Sequence, residues 1–406
     1  MPGHWVQVMK CAERSGGGAG FPWRLSPRLR RPWVHALLLY VLTFGVVLPL
    51  LCQSLRQSRY FRQAAHLRRL TREALERSQA RGEEAERYVR TATPPGGLGE
   101  GGGTPLVVAV VTTIRQQGAG YHYYLQVVAA LHRLLVACRD CRGYRLLACN
   151  VDPDPEGHRE ALEAAHLITT VHRFGQGRRP AGGAYNRFEK EKEDYLYCLQ
   201  EALSAYDPQH VVLLEDDAVP MEDFFPVLRD LLERRLTSPT TRGALYVKLY
   251  HPERLQGYLN PEPMRILEWL GLGALGGTSL GVVYRRLCGR ASVTLSWAVL
   301  AVYTMLVVEL AGRHYLLESR RLSPQLYSLV PATECCTPAM LFSAPAARRV
   351  LAYLGGVRCR PGYAKDTALY ALLRAHGETA YALEPNLVTH IGLYSTLRGP
   401  IAEPSL

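Results

Sequence analysis

VVLLEDDAVP (Val211–Pro220) sets four apolar residues directly before three consecutive carboxylates and closes the run with a proline. The apolar half reads as a buried β-strand that ends in Glu215, Asp216 and Asp217. Three adjacent acids repel one another, so the run predicts either a cationic neighbour or full solvation. LVVAVVTTI (Leu106–Ile114) and YRLLACNV (Tyr144–Val151) have the same buried-strand character. Helical patterns over Tyr123–Val136 and Glu189–Ser204 separate the three strands. Further on, Pro345–Leu354 and Asp366–Ala375 read as helices, and TAYALEPNLVTHIG (Thr379–Gly392) reads as a strand entering a loop. This alternation predicts an α/β fold with a largely parallel sheet. Ligands in such sheets bind beyond the carboxyl ends of the strands, which is where the three acids emerge.

The 406 residues are 48% hydrophobic and 21% charged, a globular rather than a disordered composition. A formal charge of +12 raises nucleic-acid binding, but its distribution argues against that. Lys10, Arg14, Arg24, Arg28, Arg30 and Arg31 precede an apolar stretch, with only Glu13 to oppose them. The basic cluster in Arg56–Arg90 is mixed with glutamates, as on a solvated helix. VHALLLYVLTFGVVLPLLC (Val34–Cys52) carries no acid, lysine or arginine and has the length of a retained signal-anchor. The arginines before it predict a cytoplasmic N-terminus. WLGLGALGGTSLGVVY (Trp269–Tyr284) and SVTLSWAVLAVYTMLVV (Ser292–Val308) flank RRLCGRA, whose Arg285, Arg286 and Arg290 belong on the cytoplasmic side. Buried core helices are the alternative for this pair. The expected segmentation is a tail over 1–33, a signal-anchor over 34–52, and a stem helix with a Gly/Pro linker over 53–104. A catalytic domain then runs over 105–265 and 311–406, interrupted by spans at 266–284 and 292–310 around a loop at 285–291.

Of ten cysteines, Cys138, Cys141, Cys149, Cys198, Cys335, Cys336 and Cys359 fall on the expected lumenal side, where disulfides persist. Seven is an odd number, so at least one thiol stays free or pairs unusually. The expected bonds are Cys138–Cys141, Cys149–Cys198 and the vicinal pair Cys335–Cys336, leaving Cys359 free.

A strand ending in Glu-Asp-Asp can offer one acid to Mg²⁺ or Mn²⁺ and another to a sugar hydroxyl, with substrate phosphates completing the metal's shell. A solvated acidic turn is the alternative. EKEKEDYLYCLQEALSAYDPQHVVLLEDDAVP (Glu189–Pro220) resembles Golgi glycosyltransferases of the GT-A fold, including the N-acetylglucosaminyltransferase IV family. PNLVTHIGLYSTL (Pro385–Leu397) resembles their C-terminal His-Ile-Gly segment. KLYHPERLQGYLNPEPMRILEW (Lys248–Trp269), the inserted apolar hairpin and RRLSPQLYSLVPATECCTPAMLF (Arg320–Phe342) resemble the Golgi GPI-anchor GalNAc-transferase family.

The resemblance implies a GT-A type glycosyltransferase fold with a transmembrane helical hairpin inserted in it, and inverting transfer of GalNAc from UDP-GalNAc to the first mannose of the GPI glycan. The acceptors are GPI-anchored proteins, the location is the Golgi membrane with a lumenal catalytic domain, and the metal is Mn²⁺. Residue by residue, Asp217 is then the direct metal ligand and His390 completes the shell. Asp216 belongs to the donor site, and Glu215 to the catalytic acids. Lys190 and Asp194 suit diphosphate and uridine contacts, with an i,i+4 surface pair as the alternative. Thr112 and Arg115 follow the first strand at the nucleotide edge, in a segment, TTIRQQGAG, that carries no acid of its own. Asp366 is the expected base, against a helix N-cap, with Glu384 in reserve. Glu268 and Glu309 sit at the membrane boundary, where solvation accounts for them. The hairpin is expected to hold the active site near the lipid-anchored acceptor. Rival readings are a catalytically silent membrane scaffold and a GT-A transferase using another UDP-sugar on an N-glycan.

Overall fold

The computed structural model describes residues 32–94, 104–175, 186–259, 262–288 and 293–394. Most of the expected cytoplasmic tail, the Gly-rich part of the linker, Arg290 and the tail after Tyr394 lie outside the described residues. The chain divides into two units, one built from the residues up to 65 with 253–316, the other from 66–252 with the residues from 317 onward.

The second unit holds a mixed sheet. Its strands are β1 (Leu106–Thr112), β2 (Arg145–Asn150), β3 (Thr169–His172), β4 (His210–Glu215), β6 (Tyr246–Lys248), β7 (Ser328–Pro331), β8 (Ala339–Ser343) and β9 (Ala380–Glu384). A small separate sheet pairs β5 (Ala218–Pro220) with β10 (Val388–His390). The large sheet has the order β3-β2-β1-β4-β8-β6-β9-β7. Strands β3, β2, β1 and β4 are parallel, β8 opposes β4, β6 opposes β8, β9 follows β6, and β7 opposes β9. Only β8 and β7 run against the rest, so the α/β class and the largely parallel sheet are as the alternation requires.

Strand β1 is apolar on both faces because helices cover both. Its alternate residues divide accordingly. Val108 and Val110 join the core under the Tyr123–Ala137 helix, and Val107 and Ala109 the core that includes residues of the Arg187–Tyr206, Ala344–Gly355 and Lys365–Ala375 helices. The Gln63–Thr91 helix buries Thr71, Ser78, Gly82, Ala85 and Val89, spaced to form one face. Ala85 and Val89 enter the first core, and a Cβ at Gly82 would sit 2.3 Å from the Tyr121 carbonyl oxygen.

The cysteine sulfurs pair as Cys138–Cys141, Cys149–Cys198 and Cys335–Cys336, while Cys359 is free and buried. Peptide mapping without reductant should recover these three bonds. Cys359 found bonded to any of the six would overturn the pairing.

In the first unit, Trp33–Cys52 and Pro263–Arg286 are each long and apolar enough to cross a membrane. Trp297–Ala311 qualifies only together with Arg313–Leu322, from which it is bent by 96°. The first helix carries a π-turn at Thr43–Val47, where the Tyr60 hydroxyl donates to the Phe44 carbonyl at 2.9 Å. The two hairpin helices approach closely through small residues: a Cβ at Gly277 would lie 2.8 Å from the Ala301 nitrogen. Glu268 and Glu309 are engaged rather than merely solvated. Glu268 takes Arg313 Nη2 at 2.7 Å and the Tyr258 hydroxyl at 2.6 Å. Glu309 is buried and accepts from the Tyr258 amide at 3.2 Å. Apolar flanks leave these acids little water, so each needs a fixed partner.

Candidate metal and donor site

Strand β4 ends at Glu215, and Asp216 and Asp217 form the turn into β5. Because β10 pairs with β5 in the register His390↔Ala218, His390 comes to the same turn. One potential ligand atom each from Glu215, Asp217 and His390 lies within 4.8 Å of the other two. His390 Nε2 is 3.4 Å from Asp217 Oδ1, a buried oxygen that accepts no hydrogen bond among the described residues. Two carboxylates and an imidazole, with a buried oxygen left over, form a donor set that suits a hard or borderline divalent cation such as Mn²⁺. The segment around His390 is fixed to the motif: the Ile391 amide donates to the Asp217 carbonyl at 2.9 Å. A Cβ on Gly392 would stand 1.9 Å from Asp217 Oδ2.

The cationic neighbour that three adjacent acids demand is present twice. Arg115 Nη2 bonds both Asp216 and, at 2.7 Å, Asp217. Its Nη1 donates to the Tyr394 carbonyl at 3.0 Å, and the guanidinium lies over the Tyr123 ring. Lys365 Nζ lies 2.8 Å from Glu215 Oε1. Thr112 Oγ1 donates to Asp216 Oδ2 at 3.3 Å and lies 2.9 Å from His158 Nε2. The expected cluster of Thr112, Arg115, Glu215, Asp216, Asp217 and His390 therefore comes together.

Burial pushes both motif aspartates up, and the outcome differs with their partners. Asp216 stays raised despite Arg115, whereas at Asp217 the His390 imidazolium and Arg115 outweigh burial and hold the carboxyl below its usual range. The facing Asp217 carboxylate raises His390 to about 9, against burial. A cation ligated by His390 has to displace that proton. At Lys365, burial favours the neutral amine, and Glu191 and Glu215 outweigh it to keep the ammonium.

Lys190 and Asp194 pair with one another at 2.6 Å, the i,i+4 contact. Asp194 also takes Arg173, and Lys190 reaches the Val151 carbonyl at 3.2 Å. Their charges are committed to each other at the end of β2 rather than gathered in the acid cluster. Asp366 is not an N-cap: Ala364 holds that position. Its carboxylate accepts from the Cys336 amide at 3.2 Å and from the Thr367 amide at 2.8 Å, and the side chain is partly exposed. Glu384 is fully buried on β9, opposite Ser328 of β7. Its carboxyl has no exposure to an acceptor.

Sequence reasoning missed four supporting residues. Asp152 supplies the acid that TTIRQQGAG lacks: it accepts from Thr113 Oγ1 at 2.8 Å and the Ile114 amide at 2.9 Å. Its signal was the Asn-Val-Asp-Pro-Asp turn after the second strand. Lys365 stands next to Asp366 in the same helix start, and Glu191 lies between the two residues first assigned to the donor. Lys248 is the fourth: a buried lysine on β6 whose Nζ donates to the Thr333 and Cys335 carbonyls at 2.6 and 2.7 Å. Burial lowers it to about 8, against the attraction of Asp366 and Glu334.

Residues 106–389 match the family model described as GPI-N-acetylgalactosamine transferase PGAP4. Among solved structures, the chain is similar to one titled as the crystal structure of a mycobacterial protein, at 13% identity and a TM-score of 0.32, covering 76% of this chain and 70% of that one. It is also similar to the mannosyltransferase PcManGT from Pyrobaculum calidifontis, in complex with GDP-Man and Mn²⁺, at 13% identity and a TM-score of 0.22. That likeness covers 76% of this chain and 96% of the other. At such TM-scores neither likeness bears on activity.

Proposed function

The chain belongs to the GPI-N-acetylgalactosamine transferase family, and from that premise we propose that it moves GalNAc from UDP-GalNAc to the first mannose of the GPI glycan, inverting to a β linkage, in the Golgi lumen. The observation that carries this reading is the meeting of Glu215, Asp217 and His390 at the carboxyl end of β4. A divalent cation held there supplies neutralisation of the charge that develops on the departing diphosphate. Arg115 adds a fixed positive charge at the end of β1, where the donor's phosphates would meet the sheet. Inversion by one displacement needs a base for the acceptor hydroxyl. Asp366 fits that role, since its carboxylate is held by two backbone amides at a helix start and is partly open to solvent. Lys190 and Asp194, paired with each other, support the donor side by fixing the helix ahead of β4. GPI-anchored acceptors lie at a membrane, and spanning helices bring enzyme and acceptor into one plane, which lowers the orientational cost of encounter.

The full-length protein, purified in detergent, should release UDP from UDP-GalNAc when given a mannose-bearing GPI acceptor. EDTA should stop the release and Mn²⁺ should restore it. UDP-GlcNAc and UDP-galactose should be poorer donors. Release that continues undiminished in chelator would remove the metal from the reading, and no release at all would favour a silent scaffold. In cells lacking and then regaining the chain, mass spectrometry should show the GalNAc side branch lost and restored.

A further inference from the structure

Lys365 opens the Lys365–Ala375 helix, is 5% exposed, and lies over the Tyr195 ring at 4.8 Å. Its Nζ stands 2.8 Å from Oε1 of Glu191 and 2.8 Å from Oε1 of Glu215. Three elements therefore meet at one ammonium: the Lys365 helix, the Arg187–Tyr206 helix through Glu191, and the end of β4 through Glu215. Glu191 holds the lysine with one oxygen, and its buried Oε2 accepts no hydrogen bond among the described residues. As a device for stability this is poor, because desolvation of a buried pair offsets most of its attraction. The second bond has a different target. Glu215 is about a third exposed, at 32%, and contributes to the group formed with Asp217 and His390. One of its two oxygens is committed to an ammonium, which leaves the other to a ligand.

We propose that Lys365, backed by Glu191, is a positioning residue that fixes the Glu215 carboxylate as a one-oxygen donor toward the divalent cation and the UDP-sugar. The inference rests on the metal-dependent transferase reading above. Without the ammonium, Glu215 is free to rotate beside two further carboxylates that repel it. Outer partners of metal-binding groups typically govern affinity by roughly 10- to 100-fold.

The test uses full-length protein in detergent, with Mn²⁺ binding followed by electron paramagnetic resonance of the free ion and UDP release measured in parallel. Lys365→Met should weaken Mn²⁺ binding by roughly tenfold or more and lower kcat/KM in step, and Lys365→Arg should recover part of both. Lys365→Met alone strands the Glu191 charge, so the double variant Glu191→Gln/Lys365→Met is the decisive one. It should regain a wild-type Tm and keep the weakened Mn²⁺ binding. A folded double variant with wild-type Mn²⁺ affinity and kcat would overturn the proposal and leave a structural ion pair. Lys365-dependent Mn²⁺ binding in a protein that releases no UDP would support the positioning role and overturn the transferase reading. Wild-type protein that binds no Mn²⁺ would overturn both.

Discussion

Asp217→Ala is expected to lower transfer by roughly a hundredfold or more, the scale for removing one preorganised electrostatic group from a transition state, while the protein remains folded. The first half follows from position. Asp217 is the residue of the acid motif whose carboxylate touches both Arg115 and His390, and its buried Oδ1 accepts no hydrogen bond among the described residues. The second half follows from charge. Removing Asp217 takes the carboxylate partner from His390, which can then shed its proton, and Arg115 keeps its bond to Asp216. The backbone tie from the Ile391 amide to the residue 217 carbonyl does not depend on the side chain. Thermal unfolding should therefore shift little while Mn²⁺ binding and GPI side-branch formation are lost together. Side-branch levels like those of wild type in Asp217→Ala cells would sink the metal assignment.

What the sequence disclosed, and what it hid, follows from distance along the chain. The β4 acids announce themselves because apolar strand and carboxylates are contiguous, and His390 was legible only through the resemblance of the His-Ile-Gly segment. The partners were not legible. Arg115 meets Asp216 across 101 residues and Lys365 meets Glu215 across 150. A sheet whose order departs from chain order creates such meetings, and no periodicity encodes them. The amphipathic face of Gln63–Thr91 could be read, but not that its partner is the core beneath the Tyr123–Ala137 helix. Arg313 is a sharper case. Solvation accounted for Glu268 in the sequence, yet Arg313 bonds it from 45 residues away once the hairpin has closed. Short-range rules gave the strands and helices; the charges obeyed long-range packing.

Gly392→Ala should be nearly as damaging as losing Asp217 itself, although it adds a single methyl group. The backbone at Gly392 lies outside the left-handed region, so alanine is conformationally acceptable there and the effect is steric. A Cβ would stand 1.9 Å from Asp217 Oδ2, 2.7 Å from its Cγ and 3.1 Å from its Cβ. Contact with all three atoms means that rotating the carboxylate cannot relieve the clash; the side chain must move as a whole or the segment must retreat. Retreat is opposed by the Ile391 amide bond to Asp217 and by the pairing of β10 with β5. Either movement takes Asp217 and His390 apart by about 1 Å, a displacement that can cost on the order of 10²-fold in rate. Overpacking of this kind typically destabilises by about 1–3 kcal/mol, which a folded domain can absorb. Gly355→Ala is the matching control, since nothing lies within 4 Å of a Cβ there. Gly392→Ala should lose Mn²⁺ binding and UDP release while its disulfides form and its Tm falls only a few degrees, and Gly355→Ala should be indistinguishable from wild type. Full activity in Gly392→Ala would mean that Asp217 tolerates displacement, and a residue that tolerates displacement is not a metal ligand.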